Sequence, residues 1–173
     1  MKWHVGKLAV ALFLVTVLLV GAVDVWAQAK GGSFNEQILG SWVLVSNVNE
    51  QDGKKSDVFG PNPRGFMTLT PSGHFTMIMM NASLPKFASN NRVKGTAEEN
   101  QAVVQGSVAM FGTYKVIDEK EYKVMLHYDG STFPNWDGRD LPRIMTVNGD
   151  EMKMVNPAAQ IGGTNYVIWK RVK

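Results

Sequence analysis

The chain has no cysteine, so disulfides, thiolate metal sites and cysteine nucleophiles are all excluded, and stability must come from a packed core. It has only three histidines, His4, His74 and His127, and no pair of them stands at metal-ligand spacing. There is no glycine-rich phosphate loop and no Gly-x-Ser-x-Gly elbow, so no cofactor, metal or covalent catalytic residue is assigned. Charge of one sign is also scarce. A formal net charge of +3 leaves no basic footprint for nucleic acid.

One long apolar run does occur, at the start. Lys2 and Lys7 give a positive lead, residues 8–23 carry no charge, and after Asp24 comes Ala27-Gln28-Ala29, a small-x-small pattern. This predicts a signal peptide over 1–29, cleaved after Ala29 or, as second choice, Ala27. The alternative is an uncleaved anchor, but the run of roughly 16 residues falls short of the roughly 20 that a spanning helix needs. A lipoprotein anchor is excluded by the absence of cysteine. The expectation is therefore a periplasmic or secreted protein with no stable membrane anchor, a flexible lead-in over 30–39, and one domain over 40–173.

Within that domain apolar residues alternate rather than recur at helical spacing, beginning with Trp42, Leu44 and Val48 on one face and Val43 and Val45 on the other. Strands are predicted at 40–48, 65–70, 74–81, 112–117, 122–128, 143–147, 152–155 and 166–172. The turn residues are specific. Pro71-Ser72-Gly73 and Asn148-Gly149 each join two such runs, because Pro presets one φ and Gly accepts a positive one. Long loops are expected over 51–64 and 129–140. Thr96-Ala97-Glu98-Glu99 is a capping box, predicting one short helix over 97–110 that lies across an open end. Eight antiparallel strands with one buried face each hide their edges by closing, so the predicted fold is an all-β, eight-stranded, up-and-down barrel. A two-sheet sandwich is the competing fold.

A series of short motifs in one order resembles the bacterial lipocalin-like domain family over nearly all of 40–173. The pieces are Gly40-Ser41-Trp42, Pro63-Arg64-Gly65, Thr70-Pro71-Ser72-Gly73, Thr96-Ala97-Glu98-Glu99, Phe111-Gly112-Thr113-Tyr114, His127, Phe133-Pro134-Asn135-Trp136-Asp137-Gly138, Arg143 and Trp169-Lys170-Arg171. The resemblance implies a calycin-type barrel in which Trp42 packs under Arg171 to close one end. It informs the fold far more than the activity. Two departures stand out, Leu69 in place of a tyrosine and Ser72 in place of an aspartate.

For ligand binding, the residues singled out are Tyr114, His127 and Arg143, which fall on consecutive strands near the second long loop. Pointing inward together, a phenol, an imidazole and a guanidinium would hold a polar head, with a carboxylate the natural partner of arginine. The blander expectation puts Arg143 in solvent and gives His127 one buried hydrogen bond. Trp136 is read as a lid or a loop pin. Phe66, Met77 and Met125 complete the expected lining. Methionine is unusually frequent on the predicted strands, at Met67, Met77, Met79, Met80, Met125, Met145, Met152 and Met154. Thioethers bind Cu(I), but the pliable lining of an apolar cavity is the stronger reading.

The leading functional expectation is an exported barrel holding a small apolar or amphipathic molecule. The alternatives are an isomerase or hydratase using His127 as acid or base, and an envelope interaction module with a filled barrel. No protein partner is named by the sequence.

Overall fold

The computed structural model describes residues 32–173. The expected signal peptide therefore lies outside the described residues. A short helix, α1 (Phe34–Ile38), precedes β1 (Gly40–Gln51), β2 (Lys54–Asp57), β3 (Arg64–Leu69) and β4 (His74–Met80). Then come α2 (Ala97–Gly106), β5 (Ser107–Asp118), β6 (Lys123–Ser131), a single 3-10 turn over Pro134–Trp136, β7 (Asp140–Asn148), β8 (Glu151–Asn156) and β9 (Thr164–Arg171).

Strands β1 and β3 to β9 form one antiparallel ring, closed by the β1–β9 ladder that runs from Trp42↔Arg171 to Glu50↔Thr164. The eight-stranded barrel read from the sequence is thus the observed fold. Strand β2 stands outside the ring as a hairpin on the far half of β1. Chain direction alternates around the ring, so α1 and the turns at 70–73 and 149–150 share one end. The other end carries the segments 52–63, 81–106, 132–139 and 157–163.

Besides β2, which stands within the expected loop over 51–64, three local features depart from the sequence reading. The stretch expected as a flexible lead-in contains α1, because Ser33 and Glu36 form a capping box: Glu36 N–H donates to Ser33 Oγ (3.4 Å) and Ser33 N–H to Glu36 Oε2 (2.8 Å). Phe34 and Ile38 of α1 are buried. The expected helix to Met110 ends at Gly106, since Val108, Ala109 and Met110 instead pair with Met79, Ile78 and Met77 of β4. No residue of α2 is buried. Third, β1 carries a bulge between Leu44 and Ser46. One extra residue reverses which side chains face inward. Trp42 and Leu44 point in before it and Asn47 and Asn49 after it, in place of Val48.

The core is the barrel interior. Side chains from all eight ring strands meet in one buried cluster that includes Trp42, Trp169, Phe75 and Tyr128. Seven of its members are methionines: Met67, Met77, Met79, Met110, Met145, Met152 and Met154. The α1 end is sealed. The Arg171 guanidinium lies 4.1 Å from the centroid of the Trp42 ring, and its Nη1 and Nη2 donate to Leu39 O and Gln37 O (2.6 Å each). Trp42 Nε1 donates to Ile38 O (3.0 Å), and Phe34 meets Tyr122 edge to face at 5.3 Å.

Candidate functional site in the barrel lumen

Strand alternation decides which of the sequence-derived site residues share the lumen. On β6 the inward set is Val124, Leu126 and Tyr128, all buried. His127 and Met125, one residue out of phase, face outward. The His127 side chain is 43% exposed and held by Asp140 (Nδ1 to Oδ1, 2.8 Å) and Asp129 (Nε2 to Oδ1, 3.6 Å) on the outer face. Phe66 shares this outward phase, because Met67 and Leu69 are the buried residues of β3. The convergence of Tyr114, His127 and Arg143 does not occur, and His127 is on the wrong side of the wall to act as acid or base toward a lumen molecule.

Tyr114 is half-buried beneath the β3–β4 hairpin, where its hydroxyl donates to Thr70 O (2.7 Å). It lines an open depression of about 520 Å³ at the α1 end, together with Asn35, Pro71, Lys115, Asp118 and Glu119. That depression contains none of the buried polar groups described below and is a surface feature between two hairpins. Burial raises the Tyr114 phenol above its ordinary pKa.

Arg143 and Met77 do face inward. Arg143 is 7% exposed, sits on β7 opposite Val124, and spends two donors: Nη1 to Pro142 O (2.7 Å) and Nη2 to the Tyr128 hydroxyl (2.9 Å). Among the described residues no carboxylate reaches it. A guanidinium offers five N–H donors, so part of its capacity and all of its charge are unmatched. Desolvation by burial is the largest influence on its protonation and pulls its pKa below the ordinary value, while the neighbouring Tyr128 phenol acts the other way. The same burial raises Tyr128, against the opposing influence of Arg143.

Tyr128 is the residue that sequence reasoning missed. Its ring touches Phe75 edge to face at 5.5 Å and Trp136 at 5.7 Å, and Trp136 in turn meets Phe133 at 5.3 Å. The Trp136 loop is thereby pinned onto the ring that carries the Arg143 partner. Gly112 on β5 makes room for this arrangement: a Cβ there would run into His127 O of the neighbouring strand.

A second polar group lies along the far half of β1. Asn165 Nδ2 donates to Asn47 Oδ1 (2.5 Å), Asn47 Nδ2 to Met79 Sδ (3.3 Å) and Asn49 Nδ2 to Gly162 O (3.0 Å). Two buried atoms have no partner among the described residues, Asn49 Oδ1 and Trp169 Nε1. The β1 bulge hid Asn47 and Asn49 from a strict alternation reading.

A closed antiparallel barrel, sealed at one end by a helix and an arginine over a tryptophan, with polar groups set into an apolar interior, defines the lipocalin-like class. The sequence pattern of the family described as "Lipocalin-like domain" matches residues 39–172, and the chain belongs to that family. No curated protein matches the chain. The fold supports a ligand-binding lipocalin-like protein.

Proposed function

We propose that the protein is exported and binds a small amphipathic molecule in its lumen, with Arg143 and Tyr128 holding an anionic head, most naturally a carboxylate. The observation that carries this reading is the buried Arg143 without a carboxylate partner. Taking an ion out of water costs several kcal/mol, and an unpaired one is retained only where something offsets it. A ligand carboxylate does so with short, charge-assisted hydrogen bonds. The tail would enter by displacing the core methionines. Their unbranched, polarisable side chains re-pack at low cost, as promiscuous apolar surfaces do.

Titration calorimetry with dodecanoate and dodecanol tests the reading. Arg143→Met is expected to weaken dodecanoate at least tenfold, about 1.4 kcal/mol, and to leave dodecanol nearly unchanged. Equal effects on both probes contradict the assignment. Export is tested by sequencing the N-terminus of protein recovered outside the cytoplasm, with Lys30 expected first; a retained 1–29 segment contradicts it.

The single buried cluster that joins all eight walls supports a second reading, an envelope interaction module with a permanently filled barrel. Failure of both probes to bind decides for it.

A further inference from the structure

The asparagines of β1 and β9 make a second demand on whatever occupies the lumen. Asn49 is 4% exposed, and its amide orientation is fixed because Nδ2 donates to Gly162 O. That leaves Oδ1 as a buried acceptor with no donor facing it. Its neighbours do not answer it. Asn165 gives its Nδ2 to Asn47 Oδ1 and Val48 O, and Asn47 gives its own to the weakly accepting sulfur of Met79. A buried acceptor left without a donor lowers stability, and a bound donor would recover that loss.

The chemistry of the donor is constrained by the rest of the interior. An ammonium is disfavoured, because Arg143 already places an unmatched positive charge inside and the buried cluster contains no acidic residue. Trp169 Nε1 is the complementary defect, a buried donor without an acceptor. Trp169 pairs with Leu44, four residues along β9 from Asn165 and toward the sealed end, so one group does not serve both atoms; for Asn49 Oδ1 a hydroxyl is the donor that adds no charge.

Position sets the spacing. Asn49 pairs with Asn165 of β9, which pairs with Asn156 of β8, and β8 is the neighbour of β7, which carries Arg143. Three inter-strand steps, roughly 14 Å measured along the curved wall, separate the two backbone positions, and the inward-pointing side chains bring their polar ends closer than that. The anionic head and the hydroxyl belong to different parts of one molecule, joined by an apolar segment that faces the methionines.

From this geometry we infer that Asn49, supported by Asn47 and Asn165, forms a second lumen subsite for a hydroxyl, and that the ligand is a hydroxylated aliphatic acid. The inference rests on the Arg143 reading above.

Calorimetric binding of dodecanoate and ω-hydroxydodecanoate to the protein tests it. In the unsubstituted protein the hydroxy acid is expected to bind about tenfold tighter than the plain acid, as a site built around a hydrogen bond requires. Asn49→Leu is expected to erase that ratio while leaving plain dodecanoate within about twofold, and Arg143→Met to weaken both acids equally. Equal or weaker binding of the hydroxy acid overturns the subsite and leaves the Arg143 assignment standing; Asn49 Oδ1 is then answered by an ordered water only. Failure of both acids to bind overturns both assignments. Should Asn49→Leu fold poorly, the ratio measured on the unsubstituted protein decides alone.

Discussion

Two arginines of this barrel face opposite circumstances. Arg171, half-buried at the sealed end, has a tryptophan face beneath it and two backbone carbonyls accepting from it. Arg143, more deeply buried, has a phenol, the carbonyl of its neighbour Pro142 and no anion. Both make two hydrogen bonds to their own chain, but Arg171 lies on an indole face and is exposed enough for water to serve its remaining donors, which makes it a structural fastener. A cation buried with capacity to spare lowers stability unless an outside partner completes it, which is the role proposed for the ligand.

The largest test of this contrast falls on the fastener. Trp42→Ala is expected to cost about 3–5 kcal/mol in urea unfolding, since it empties the sealed end, and Arg171→Ala about 2 kcal/mol. A cost near zero for Arg171→Ala would dissolve the distinction. The second test reverses sign. Replacing the other pair by apolar groups of similar volume, Arg143→Met with Tyr128→Phe, is expected to leave the ligand-free protein unchanged or more stable by about 1–4 kcal/mol. A clear loss would make Arg143 a fastener too.

Smaller effects sharpen the picture. Burial raises the Tyr128 pKa in the fold, so above about pH 10 the unfolded chain releases a proton that the folded chain keeps. The folded state then binds more protons, and stability falls as pH rises from the unfolded value toward the folded one, by at most about 1.4 kcal/mol per pH unit. Tyr128→Phe should reduce that alkaline slope, and Tyr114 adds to it in the same direction. Smallest of all, His127→Ala on the outer wall is expected to change stability by less than about 0.5 kcal/mol and dodecanoate affinity not at all. Loss of binding in that variant would return the imidazole to the site.

The ring was legible in the sequence because its turns carry their chemistry openly. Gly73 and Gly149 adopt positive φ where the Pro-x-Gly and Asn-Gly turns require it. The Thr96 capping box also forms as read, while the Ser33-Phe34-Asn35-Glu36 box was equally visible and overlooked. The site was less legible, for reasons of phase. On β6, Leu126 and Tyr128 are the natural inward pair, so His127 and Met125 had to face out, and the same argument expels Phe66. That much could have been deduced. The inward turn of Asn47 and Asn49 could not, since it depends on a bulge that no local residue announces. Nor does sequence tell that Arg143 lacks an acid, which is a property of everything packed around it.

The proposed ligand chemistry depends on whether Arg143 holds an anion. Native mass spectrometry of the protein isolated from its own host, beside its Arg143→Met variant, addresses this directly. One acidic, lipid-like passenger per chain is expected in the first and none in the second; an empty barrel in both, or the same passenger in both, would contradict it.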